Sequence, residues 1–121
     1  MSMKLLTADI RERLLRNGLQ QRQCAEQGEA EPDFLPVVKL FTPDAGCTWL
    51  LTELDPDDPD IAFGLCDLGL GCPETGTVSI SELESVRGRL GLPVERDLHF
   101  TATKTLSAYT DEAWTHGAIR A

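Results

Sequence analysis

The chain has 121 residues, 41% of them apolar, and a formal net charge of −9. That length suits one domain, within the usual range of roughly 100–200 residues, and the apolar fraction excludes wholesale disorder. No apolar run approaches the roughly 18 residues that a membrane span needs, and residues 1–6 lack the apolar stretch of a secretory leader, so a cytoplasmic location is expected.

The charge is unevenly spread. Residues 1–30 and residues 86–121 each carry a net +1, whereas residues 31–85 hold twelve acids against the single base Lys39. An acidic centre of this kind repels phosphate, which disfavours direct nucleic-acid binding and suits a basic protein surface or plain solubility.

The predicted elements begin with a helix. Thr7 is a good N-cap, Asp9 sits in the positive first turn, and Leu6, Ile10, Leu14 and Leu15 gather near one face. Asn17-Gly18 reads as its stop. Residues 19–33 turn polar and then acidic and read as a flexible surface loop, with room for one more helical turn around residues 20–26.

Two strands follow, residues 37–42 and 47–54, joined by a tight Pro43-Asp44-Ala45-Gly46 turn. Setting Thr42 opposite Cys47 places Leu40 against Trp49 and Val38 against Leu51 on one face. Val37, Phe41, Leu50 and Leu54 are assigned to the other. Both faces are apolar and want cover. A third strand is expected over residues 61–66, a loop over 67–76 and a short fourth strand over 77–80. Ser81-Glu82-Leu83-Glu84 has the form of a capping box, opening a helix to about Arg87. A fifth strand is placed at residues 98–101. The tail, residues 105–121, has room for a short helix over 110–116, capped by Thr110 and ended by Gly117.

Candidate sites are few. Cys24, Cys47, Cys66 and Cys72 show no Cys-x2-Cys knuckle, so neither metal nor disulfide is expected. The run Asp55-Pro56-Asp57-Asp58-Pro59-Asp60 lacks the glycine and terminal glutamate of a calcium loop. His99 and His116 stand in no catalytic pattern, and no phosphate loop, dinucleotide fingerprint or nucleophile elbow is present. Two groups remain as partner-binding candidates: Asp55, Asp57, Asp58 and Asp60 in the acidic run, and Arg87, Arg89, Glu95, Arg96 and Asp97 in a turn-rich segment.

Several motifs together carry a resemblance. They are Met3-Lys4-Leu5-Leu6-Thr7, then Val38-Lys39-Leu40-Phe41-Thr42-Pro43-Asp44, Thr48-Trp49, Thr52-Glu53, Phe63-Gly64-Leu65, Ser81-Glu82-Leu83 and Gly91-Leu92-Pro93-Val94-Glu95-Arg96-Asp97. The set, spread over residues 3–109, resembles the DUF2958 family, small bacterial proteins of unknown function. The resemblance implies a small cytoplasmic protein associated with mobile elements and transfers no catalytic residue. Cys47 and Cys72 fall outside the pattern.

The sequence therefore predicts a single α+β domain: a central antiparallel sheet of about four or five strands, packed by the N-terminal helix and a second short helix. The expected function is a non-enzymatic protein–protein interaction module without cofactor, in its sharpest form an acidic inhibitor or accessory factor encoded by a mobile element. The alternative is a small enzyme or nucleic-acid-processing accessory acting through residues 87–97, which requires Glu95 and Arg96 to converge in a pocket. A homodimer through a sheet face left short of cover is a further expectation.

Overall fold

The hairpin at the centre of the chain sets the frame. The computed structural model describes residues 5–121; Met3 and Lys4 of the motifs above lie outside them. Strand β1 (Val38–Phe41) pairs antiparallel with β2 (Thr48–Leu54), with Leu40 opposite Trp49 and Val38 opposite Leu51 as the turn dictates. β3 (Ile61–Asp67) adds to β2, and β4 (Glu74–Ser79) adds to β3. The two-residue β5 (Glu95–Arg96) pairs with β1, giving a five-stranded sheet in the order β4-β3-β2-β1-β5. Helices α1 (Ala8–Glu26), α2 (Ile80–Ser85) and α3 (Leu106–His116) complete an α+β domain.

The first helix does not stop at Asn17-Gly18. It runs 19 residues, from the Thr7 cap, whose hydroxyl accepts from the Ile10 amide, to Glu26. The reason lies in β2. The β2–β3 register slips between Leu51 and Glu53, so Thr52 is the extra residue of a β-bulge. Asn17 Nδ2 donates to the Thr52 carbonyl at 2.9 Å, and the Thr52 hydroxyl donates to the Phe63 carbonyl at 3.3 Å. Gly18 lets the helix touch the strand: a Cβ there would lie 1.9 Å from the Leu54 carbonyl oxygen. Glycine serves close approach at this position and carries its helix-propensity cost of about 1 kcal/mol.

The bulge also resets the faces. Strict alternation puts Leu54 with Leu50, but Leu54 packs with Leu51, Trp49, Leu40 and Val38 against Leu14 of α1 and Leu5 and Leu6 ahead of it. α2 joins this layer through Ile80 and Leu83. The opposite face, Leu50 and Leu65, is covered by Leu106, Tyr109 and Ala113 of α3. Both faces thus receive cover within the chain. Fully buried leucines of this kind contribute about 1.5–3 kcal/mol each.

Further boundaries differ from the sequence reading. β4 starts at Glu74, inside the expected loop 67–76, and ends at Ser79. α2 starts earlier, with Ser79 as its cap. Ser79 Oγ accepts from the Glu82 amide, and the carboxylate of Asp60 takes the Ser81 amide at 2.9 Å and the Ser79 and Ser81 hydroxyls at 2.6 and 2.8 Å. The local cap is thus Ser79 and not Ser81, and a long-range carboxylate reinforces it. The fifth strand falls at Glu95–Arg96, not at residues 98–101: Asp97 turns the chain by accepting the His99 amide, and Leu98 is 67% exposed. α3 begins at Leu106, so Thr110 is internal, its hydroxyl donating to the Leu106 carbonyl; the helix ends at Gly117 as expected.

The segment 27–37 carries no regular structure, yet its end is tied down. Phe34 accepts the Leu106 amide at 2.8 Å, and Asp33 accepts the Ser107 amide at 3.1 Å together with its hydroxyl. The expected flexible loop 19–33 is thus helix as far as Glu26, and its last residue is a cap for α3 supplied from a distance.

Gly18→Ala should lower unfolding stability by about 1–3 kcal/mol, the overpacking cost outweighing the better helix propensity of alanine; equilibrium urea denaturation reads the shift.

Candidate protein-interaction site

The acidic run is largely occupied with holding the fold. Asp57 and Asp55 pair with Arg22 of α1 at 2.8 and 3.4 Å, and Asp55 also accepts the Asp57 amide. Asp58 accepts the Asp60 amide at 3.3 Å. Asp60 caps α2, and the Ser79 hydroxyl, followed by that of Ser81, holds its carboxyl below the usual carboxylate range. Of the four aspartates proposed from sequence, Asp55, Asp57 and Asp58 are exposed and Asp60 is half-buried.

Residues 87–97 form two separate structures. The first is a clasp. Asp44, from the hairpin turn, inserts its carboxylate against Gly88 and accepts the Leu90 and Leu92 amides at 2.6 and 3.3 Å. A Cβ on Gly88 would sit 1.6 Å from Asp44 Oδ1, so only glycine leaves room. Arg87 donates to the Glu84 and Val86 carbonyls, and Arg89 is exposed. The second is β5. Glu95 lies opposite Phe41 and Arg96 opposite Leu40, so these neighbours point to opposite faces of the sheet. Arg96 reaches the Leu5 carbonyl at 2.9 Å on the α1 side. Asp97 is held below its ordinary range first by the His99 amide and then by Lys39, whose Nζ lies 3.4 Å away. Glu95 and Arg96 do not converge on a cavity.

A different part of the surface does bring chemistry together. A cavity of about 290 Å³ opens between α1 and the α3-side face of the sheet, lined among others by Arg22, Glu31, Glu53, Phe63 and Thr77. A shallower one of about 450 Å³ shares Glu31 and Phe63 and continues past Thr75, Leu106 and Asp111 to Trp114. The two make one groove across the sheet toward β4. Its floor is a cross-strand row: Glu53 of β2 pairs with Phe63 of β3, which pairs with Thr77 of β4. The bulge at Thr52 places Glu53 in that row.

The electrostatics of the groove are one-sided. Burial, followed by the charge of Glu31, pushes the Glu53 carboxyl up. Arg22 is already engaged by Asp55 and Asp57. Asp33, spent on α3, is held below its ordinary range mainly by the Ser107 hydroxyl. Glu31, Glu53 and Asp111 line the groove with no ion-pair partner among the described residues. At the far end Trp114 is 62% exposed, with its indole N–H fixed on the Pro73 carbonyl at 2.7 Å. No group of three or more His, Cys, Asp or Glu side chains among the described residues is arranged to hold a metal ion. The four cysteines are all free thiols.

Sequence reasoning left Glu31, Glu53, Phe63 and Trp114 unassigned. One signal was present: Glu53 is a lone charge in the otherwise apolar and threonine-rich strand 48–54. Its meaning depends on the bulge, which alternation does not announce.

These features define a small α+β domain with an acidic, aromatic-walled groove and no assembled catalytic constellation among the described residues. The chain belongs to the DUF2958 family, whose model, described as a protein of unknown function, matches residues 5–120. No curated protein and no solved structure matches the chain. Among the described residues, no helix is long and apolar enough to cross a membrane.

Asp33 and Asp60 both have depressed folded-state pKa values. Their contribution to stability is therefore present above the unfolded value of about 3.9 and lost as pH falls through the folded values. The double variant Asp33→Asn, Asp60→Asn should be less stable at pH 7 and show a flatter acid limb in thermal melts from pH 7 to pH 2.

Proposed function

We propose that this protein is a non-enzymatic interaction module that receives a cationic segment of another protein in the groove between α1, residues 31–33, the sheet and α3. The observation that carries the reading is the pairing of Glu31 and Glu53, two carboxylates without a basic partner among the described residues, over an aromatic floor. Burial makes the negative charge on Glu53 costly, and an incoming ammonium or guanidinium relieves that cost. Phe63 and Trp114 add ring surfaces that attract cations, and Leu106 adds apolar contact for a side-chain stem. The net charge of −9 favours encounter with a basic surface.

An inhibitor or accessory factor that occupies a basic surface of its target is the form of this role that the charge favours. The groove is the contact in this reading; of the 55–60 loop only Asp55 and Pro56 line it, while Asp57 pairs with Arg22 and Asp60 holds the start of α2. The enzyme alternative through residues 87–97 gains no support from the opposed directions of Glu95 and Arg96.

A nine-residue peptide with lysines at alternate positions tests the reading in an NMR titration. Binding is expected to shift Glu53, Phe63 and Trp114 resonances and to weaken with salt. Glu31→Gln with Glu53→Gln should reduce affinity about tenfold or more, which corresponds to ~1.4 kcal/mol for loss of charge-assisted contact. Salt-independent binding, or none at the groove, would contradict it.

A further inference from the structure

The groove runs out onto an edge of the sheet that is open. β4 pairs only with β3, in uninterrupted register over six residues from Ile61 opposite Ser79 to Cys66 opposite Glu74. Natural edge strands are usually blunted by lysine, proline, a bulge or shortness. Between Glu74 and Ser79 the sequence Glu-Thr-Gly-Thr-Val-Ser contains no lysine, no proline and no bulge. The other edge, β5, is only two residues long. Glu74, Thr75 and Thr77 are exposed, and nothing lies within 4 Å of where a Cβ on Gly76 would point. The long edge is thus a row of backbone groups available to another strand.

We propose that the partner's cationic segment binds as an added β-strand on β4, with alternate basic side chains directed into the groove. This deepens the function proposed above and rests on it. The occupant is fixed by two features that coincide. The edge demands an extended backbone, and the row Thr77, Phe63, Glu53 lies directly behind it on one face. At a strand spacing of about 4.8 Å, an added strand lies about 10 Å from Phe63. A lysine or arginine on its groove face crosses Thr77 and carries its cation over the Phe63 ring, toward Glu53 and Glu31. The next groove-facing residue, two positions along, passes Thr75 toward Asp111 and Trp114. Main-chain pairing supplies affinity and the alternate acidic positions supply selection for charge, the usual division in strand addition. A second copy of β4 could satisfy the edge, but Glu74 at its end is acidic and brings no cation to the groove.

The test uses the full chain and the alternating-lysine peptide in three forms: unmodified, N-methylated on the backbone amides of one edge, and N-methylated on those of the other. Amide hydrogen exchange at residues 74–79 and groove chemical shifts are followed by NMR. The expected result is slowed exchange in β4 with the unmodified peptide, and at least tenfold weaker binding for one methylated form only. Groove shifts with unchanged β4 exchange, or equal affinity of the two methylated peptides, would overturn the strand-addition mode and leave the acidic groove as the contact. No groove shifts with the unmodified peptide would overturn both. Slowed β4 exchange without peptide, with a concentration-dependent doubling of mass, would assign the edge to a second copy and overturn this proposal.

Discussion

The bulge at Thr52 is the constraint on which the rest of the molecule turns. One extra residue in β2 leaves a carbonyl that the sheet does not use, and Asn17 of α1 takes it. Gly18 then brings the helix backbone onto Leu54, closer than any side chain would allow. The same slip returns Leu54 to the α1 side of the core and turns Glu53 to the α3 side. One irregularity therefore docks the helix, completes the main core and plants a carboxylate in a half-buried groove where solvation is poor.

A second theme is capping from a distance. α2 and α3 are short; α2 has a local cap in Ser79, whereas the N-cap residue of α3, Thr105, makes no side-chain cap bond, and both helix starts also draw on distant carboxylates. Asp60 reaches the start of α2 and Asp33 the start of α3, while Asp44 holds the loop at residues 88–92 in the same manner. Asp33, Asp44, Asp60 and Asp67 of the acidic centre are used in this way, as carboxylates that accept backbone amides across long chain separations. Glu31 and Glu53 of the same stretch, together with Asp111 of α3, have no ion-pair partner among the described residues and line the groove.

The register of the hairpin was legible from sequence, because a Pro-Asp-Ala-Gly turn between two apolar runs fixes it, and Val38–Leu51 and Leu40–Trp49 pair accordingly; its faces were not, since Val37 and Leu54 pack with the Val38, Leu40, Trp49 and Leu51 cluster. The sheet and the Thr7 cap were legible for similar local reasons. The length of α1 was not, since Asn17-Gly18 is a stop signal in isolation and a docking signal beside a bulged strand. β5 was misplaced because Leu98 and Phe100 alternate, yet only Phe100 packs. For the site, composition pointed to the acidic centre but not to which acids are spent. That distinction is tertiary: Asp60 and Glu53 are both acids in the central region, and only contacts far along the chain make one a cap and the other an open carboxylate.

The claim most exposed to direct measurement is that the Thr52 bulge, held by Asn17, sets the environment of Glu53. Side-chain carboxyl NMR titration of the native protein and of Asn17→Ala measures it. The structure predicts a Glu53 pKa above the ordinary glutamate value in the native protein, moving back toward that value when Asn17 is removed. An ordinary or depressed Glu53 pKa in the native protein, or a raised one unchanged by Asn17→Ala, would contradict it.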